Sequence, residues 1–265
     1  MKKYFAITAI AAATGLLAGN AFAQSGPDAE KKVSDTPAAS PFTANVTLVN
    51  DYRYRGISQS AGKPAIQGGF DYAHESGFYI GNWNSSISWI ADANVAGGIS
   101  APVEMDFYAG FKKEVVAGLT ADIGVLQYYY PMTQPISSPL VSPNTTEAYI
   151  GGAYEFLTLK YSYSLSNLFG FANSSGSSYV DLGANYDTGW YGVTLNGHVG
   201  YQAVNKNSIY TYVDWKVGAT KDLGNGFAIS AAYVGTNAKS GSYFNTATGS
   251  STSNGTGIIA LTKTF

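Results

Sequence analysis

Ionisable side chains are sparse in this chain, and the ones that could act together stand two residues apart: Asp51, Arg53 and Arg55 in one run, Glu104 and Asp106 in another. On an extended backbone residues i and i+2 share a face, so each run sets its charges side by side. Two carboxylates so placed could trade a proton with a substrate or hold a metal ion, and two guanidinium groups could grip an anion. The plainer reading makes Glu104 and Asp106 solvated charges on a water-facing wall. It makes Arg53 and Arg55 ion-pair partners of Asp51 or of an acid on an opposite wall. A Ser-His triad or a zinc site has little to draw on, since the histidines are His74 and His198 and cysteine is absent. No nucleophile-elbow, phosphate-loop or dinucleotide pattern occurs in the sequence. No cofactor or metal is implied, and an enzyme is the least supported reading.

The elements that position these residues read as strands. From Phe42 onward apolar residues recur at every second position in short runs broken by Gly, Pro, Asn, Asp and Ser, with no sustained 3.6-residue period. Strands are predicted near 42–55, 64–73, 77–89, 102–112, 118–130, 145–156, 157–165, 178–186, 190–202, 212–220, 226–236 and 256–265. Brief links over 74–76, 113–117, 187–189 and 221–225 alternate with long polar ones over 90–101, 131–144, 166–177 and 237–255. Short turns at one rim and long loops at the other are how bacterial outer-membrane barrels connect their strands. The expected fold class is all-β: a transmembrane antiparallel up-and-down β-barrel of about 12 strands. In one long link Pro131, Pro135, Pro139 and Pro143 recur every fourth residue, which predicts a stiff extended segment.

Apolar residues alone suffice to choose the outward parity. The ninth strand sets Tyr191, Val193, Leu195, Val199 and Tyr201 against Thr194, Asn196, His198 and Gln202; the fourth sets Val103, Met105, Phe107 and Phe111 against Glu104, Asp106, Tyr108 and Lys112. Charges, not used in that choice, then fall inward: Asp51, Arg53, Arg55, Asp71, Glu104, Asp106, Lys112, Asp122, Glu147, Glu155, Lys160, Asp181, Asp214 and Lys216. With His198, and leaving out Glu155, these are the candidate pore-lining residues. Lys263 falls outward, near a strand end where a long side chain can snorkel. A soluble β-sandwich also alternates. Against it, outward aromatics gather at both strand ends: Tyr72, Tyr79, Phe111, Tyr154, Tyr186, Tyr191 and Phe227 near the short turns, and Tyr52, Tyr54, Trp89, Tyr129, Tyr163 and Tyr201 near the long loops. Two such rings match the two interfaces of a membrane.

Composition agrees. Charged residues make up 12% of the chain, about half of what soluble domains carry, while Gly, Tyr and Phe number 31, 21 and 13. Lys2 and Lys3, an apolar stretch from Tyr4 to Leu17 and Ala21-Phe22-Ala23 read as a signal peptide over 1–23, cut after Ala23. Residues 24–41 read as a disordered periplasmic linker and 42–265 as the barrel. Past the signal, no run approaches the roughly 18 to 20 apolar residues of a spanning helix. Without Lys2 and Lys3 the 15 basic residues fall to 13 against 17 acidic ones, a net of −4, so nucleic acid is not an expected partner.

The stretch VTLVNDYRYRGISQSAGKPAIQGGFDYAHESGFYIGNWNSSISW, from Val46 to Trp89, resembles the opening of the TorF-type porins of proteobacteria. The likeness is specific in DYRYRGISQ and in KPAIQGGFDYAHESGFYIG; later strands agree in length, Gly-Tyr composition and the final Phe rather than in motifs. The resemblance implies a pore in the outer membrane and supplies no substrate and no site residue.

The reading that joins these observations is a Gram-negative outer-membrane channel for passive diffusion of ions and small hydrophilic solutes, with a mild preference for cations. Its alternatives are a barrel with a plugged lumen and a structural or adhesive role, and a barrel-embedded enzyme. Expected partners are membrane lipid and lipopolysaccharide, the small solutes themselves, and the barrel-assembly machinery, engaged through Phe265.

Overall fold

A computed structural model describes residues 40–94, 98–132 and 141–265. The signal peptide, all but the last two linker residues, and Pro135 and Pro139 lie outside these. The chain forms β1 (Phe42–Val49), β2 (Arg53–Tyr54), β3 (Ile57–Ser58), β4 (Ala65–Ala73), β5 (Phe78–Ser86), α1 (Trp89–Ala93), β6 (Val103–Val116) and β7 (Leu119–Tyr129). There follow β8 (Thr145–Tyr154), β9 (Leu157–Ser164), β10 (Ser178–Asp187), β11 (Val193–Ala203), β12 (Tyr212–Gly224), β13 (Phe227–Thr236) and β14 (Thr256–Thr264). All strands except β2 and β3 join one antiparallel sheet in which each pairs with its neighbours in sequence, and β14 closes onto β1. The sheet is thus the expected twelve-stranded up-and-down barrel.

Closure has a physical reason. In lipid every backbone N–H and C=O must be paired within the protein, and a closed sheet has no edge. Twelve strands about 4.8 Å apart and tilted about 40° give a backbone diameter of roughly 24 Å. The outer wall is apolar, with Leu48, Ile66, Ile123, Ile150, Leu159, Val199, Val217 and Ile259 turned away from the lumen. Phe111, Tyr154, Tyr186, Tyr191 and Phe227 project outward near the short turns, and Tyr129, Tyr163 and Tyr201 near the long loops. Lys263 also faces outward, donates to the carbonyl of Asn225 and lies over the rings of Phe227 and Phe265. The β12–β13 turn is Asn225-Gly226, with φ of +52° and +76°, the positive pair that a tight two-residue hairpin requires.

Four expectations are corrected. The first strand ends at Val49 and not near residue 55, so Asp51, Arg53 and Arg55 are not part of the barrel wall, and Tyr52 and Tyr54 are buried inside it. In the third barrel strand, β5, the parity is reversed: Tyr79 and Trp83 point inward, Phe78 and Ile80 outward. Asn82 and Asn84 take the outward parity there because their amides donate to the carbonyls of Asp106 and Gly68 on adjacent strands. Trp89 belongs to α1 and packs edge to face on Tyr130 instead of joining the outer ring. Glu155 is exposed in the β8–β9 turn with φ of +51°, outside the lumen.

Candidate functional site

The site grows from the link between β1 and β4. Val49 pairs directly with Ala65, so residues 50–64 are not needed to join the two strands, and they fold into the barrel. Asp51 organises the base of this insert: it accepts from Arg53 Nε at 2.6 Å, from Ser58 Oγ at 2.5 Å and from Ser60 Oγ at 3.2 Å. β2 and β3 then form a two-residue-per-strand hairpin whose tip, Arg55-Gly56, has φ of +45° and +78°. A Cβ on Gly56 would sit 2.4 Å from Thr236 Cγ2 and 2.8 Å from Asp214 Cβ, so the tip is jammed against β13 and β12. Only glycine fits there.

From that tip the hairpin reaches wall strands all around the bore. Tyr52 Oη donates to Glu104 Oε1 on β6 at 2.6 Å, and its ring lies 5.4 Å from that of Trp83. Tyr54 Oη shares a hydrogen bond with Tyr128 Oη on β7. Arg55 Nη2 donates to Glu147 Oε2 on β8 at 2.8 Å and Nη1 to Gln202 Oε1 on β11 at 2.7 Å, with the guanidinium 4.2 Å from the centre of the Tyr179 ring. Tyr212 Oη on β12 donates to the Arg55 carbonyl at 2.8 Å. A segment bonded to β6, β7, β8, β11 and β12 at once spans the lumen. The ion-pair reading of both arginines is the one the geometry shows: Arg53 with Asp51, Arg55 with an acid on the opposite wall.

Glu104 and Asp106 depart from the expectation of solvated wall charges. Both are fully buried beside the hairpin, and neither carboxylate oxygen of Asp106 has a hydrogen-bond partner among the described residues. Among the described residues no group of three or more His, Cys, Asp or Glu is placed to hold a metal ion. Nearer the short-turn rim the remaining candidates form a second network. Asp122 accepts from Tyr79 Oη at 2.7 Å, Tyr79 bonds Tyr149, and Lys160 Nζ stands 4.0 Å over the Tyr149 ring. Asp71 accepts from Tyr108, and Lys112 stands opposite Asp122 in the β6–β7 register. Midway up, His198 faces two carboxylates, Asp181 at 2.9 Å and Asp214 at 3.3 Å, while Lys216 lies beside it on β12. His74 bonds Ser76 in the β4–β5 turn, remote from this network.

Inward charges are legible from strand parity, whereas the bonds that tyrosines make to them are not, and Tyr52, Tyr54 and Tyr79 read as outward ring residues. Tyr52, Tyr79, Tyr108, Tyr128 and Tyr179 each donate a phenol to a lumen carboxylate. A tyrosine on the inward parity, as Tyr108 and Tyr128 are, was the available signal. Above the hairpin, at the long-loop mouth, lies a cavity of about 300 Å³ bounded by the insert, α1 and the loops over 165–177, 204–211 and 237–255. Burial pushes the phenol of Tyr243 in its wall well up from its ordinary value, so that hydroxyl stays neutral.

Residues 34–265 match the model of a family described as a bacterial protein of unknown function (Gcw_chp). No curated protein matches the chain. Among solved structures, the KdgM porin superposes with a TM-score of 0.52 at 8% identity, covering 84% of this chain and 99% of that one. The KdgM porin in complex with disordered oligogalacturonate gives 0.51 at 8% identity, over 84% and 98% of the two chains. At that identity the likeness is one of fold: the barrel is built as a porin is built.

Proposed function

We infer that this chain, which belongs to the Gcw_chp family, is an outer-membrane channel for ions and small hydrophilic solutes, with a bore narrowed by the hairpin of residues 50–64. One observation carries the reading. The barrel is inverted relative to a soluble protein: its outer wall is apolar, and its acids, bases and hydrogen-bonded tyrosines are gathered inside, beside a cluster of rings and aliphatic side chains packed around the hairpin. The resemblance of Val46–Trp89 to the TorF-type porins and the shared fold with KdgM support it. The signal peptide over 1–23, cut after Ala23, would export the chain. Phe265, on the outer face, would engage the barrel-assembly machinery, and lipopolysaccharide would contact the outer wall. Inward acids outnumber inward bases, which favours cations.

Because the hairpin spans the lumen, a plugged structural barrel is the second reading, and one variant separates the two. Replacing residues 50–64 by a four-residue Gly-Ser turn leaves the Val49–Ala65 register intact. In planar bilayers the wild type should give small conductance steps and the variant steps several-fold larger. A wild type without steps beside a conducting variant would make the hairpin a plug. Silence from both, with correctly folded protein, would end the channel reading.

A further inference from the structure

The cavity at the mouth is walled by rings. Tyr54, Trp89, Tyr130, Phe171, Tyr210 and Tyr243 all line its volume of about 300 Å³. The rings brace one another: Trp89 meets Tyr130 at 5.6 Å, and Tyr243 meets Tyr212, Tyr210 and Phe171 at 5.3, 5.6 and 6.4 Å, so the wall keeps its shape unaided. Three of the lining tyrosines have their hydroxyls turned to other uses. Tyr54 shares a bond with Tyr128, Tyr243 donates to the Tyr210 carbonyl and Tyr212 to the Arg55 carbonyl. The rings therefore offer the cavity mostly aromatic surface.

Polar groups complete the lining. Gln59 and Ser242 supply polar groups, and Asp92 supplies a carboxylate held by the neutral side chains of Ser88 and Asn245; Gln202 is already spent on Arg55 and on the carbonyls of Ser178 and Ala203. Arg55, at the floor, is neutralised by Glu147. An anionic solute would thus find no spare counter-charge and would meet the Asp92 carboxylate, and a wholly apolar one would leave that carboxylate and the Gln59 amide unmatched. A small uncharged ring bearing hydroxyls satisfies both halves of the lining, its C–H face against the aromatics and its hydroxyls toward Gln59, Ser242 and Asp92. The volume is at the small end of the range of about 300–1,000 Å³ for small-molecule sites, which suits one or two sugar rings and not a long chain.

We propose that this vestibule is a binding site for a neutral mono- or disaccharide, held directly above the hairpin. Its place on a transport route rests on the channel reading; the binding itself does not. The test uses the full barrel in a zwitterionic, sugar-free detergent, titrated by calorimetry with glucose, galactose, maltose and lactose, and with galacturonate and benzoate for comparison. At least one neutral sugar should bind saturably, and galacturonate and benzoate at least ten-fold more weakly. Trp89→Ala and Phe171→Ala should each weaken the sugar at least ten-fold while keeping the heat-dependent gel mobility of a folded barrel. If Trp89→Ala fails to fold, Phe171→Ala, in a loop, decides alone. No saturable sugar binding, tighter binding of galacturonate or benzoate, or unchanged affinity in the folded variants would overturn the proposal. Sugar binding without conductance would sink the channel and leave the site standing; conductance without sugar binding would do the reverse.

Discussion

Arg55 holds a left-handed backbone conformation, φ +45°, that costs a residue with a Cβ about 1–3 kcal/mol and persists only where the surroundings enforce it. Here they do: one acid, one amide and two tyrosine faces close on its guanidinium. Glu147, its partner, is 1% exposed, so removing the arginine would strand a buried carboxylate. Arg55→Ala is therefore expected to cost on the order of 3–5 kcal/mol. The drop should appear as a lower temperature for loss of the compact gel form. Glu147→Gln added to that variant should recover part of the loss, because it removes the stranded charge. A double variant no more stable than Arg55→Ala would place the arginine's contribution elsewhere. That Arg55 would seek an acid was legible from its neighbours; that the acid is Glu147 was not, since 92 residues separate them and only barrel closure brings them together.

Among elements, the barrel strands were the readable part, because a half-buried strand alternates whichever membrane it crosses. The inserted hairpin hid behind the same rule. Asp51-Tyr52-Arg53-Tyr54-Arg55 continues the alternation of β1 in phase, polar in and aromatic out, so nothing in the period marks where the wall stops. Two cues pointed the other way: a strand from 42 to 55 is longer than the roughly 9–11 residues a crossing needs, and Gly56 follows at once. In β5 the signal failed differently, since two outward asparagines satisfied by neighbouring carbonyls look from sequence like an inward face. Gly56 is where the hairpin can be tested without deleting it. Gly56→Ala puts a methyl within 2.4 Å of Thr236 and 2.8 Å of Asp214, at a φ of +78° that L-residues rarely adopt. The tip should be forced off the β12–β13 wall, and single-channel conductance should rise toward that of the variant lacking the insert. Conductance equal to wild type would show that the hairpin does not set the bore.

Selectivity belongs to the molecule as a whole, because it follows from the sum of charges within one water-filled, low-dielectric tube. With Glu155 outside, the inward set is eight acids (Asp51, Asp71, Glu104, Asp106, Asp122, Glu147, Asp181 and Asp214) against five bases (Arg53, Arg55, Lys112, Lys160 and Lys216), a net of −3. The excess is not spread evenly. Asp51 and Glu147 are cancelled by Arg53 and Arg55, Lys112 stands opposite Asp122, Lys160 opposite Asp181, and Lys216 two residues from Asp214, so Asp71, Glu104 and Asp106 hold the formal excess. Glu104 and Asp106 are buried against the hairpin, so such charge as they hold reaches passing ions as a field and not by contact. A mild cation preference is expected, read as the zero-current potential in a KCl gradient. It should fade as the screening length falls from about 10 Å at 0.1 M salt to about 3 Å at 1 M, below the pore radius. Glu104→Gln with Asp106→Asn should move that potential toward anions. Replacing residues 50–64 should move it the other way, because Asp51, Arg53 and Arg55 leave together, seven acids then face three bases, and Glu104, Asp106 and Glu147 are uncovered. The opposite signs of the two shifts are the discriminating feature, since a potential set by the loops at the mouth would respond to neither change. An anion-selective wild type would mean that Arg53 and Arg55, though paired, govern the narrowest point, and the assignment of the excess charge to Asp71, Glu104 and Asp106 would fall.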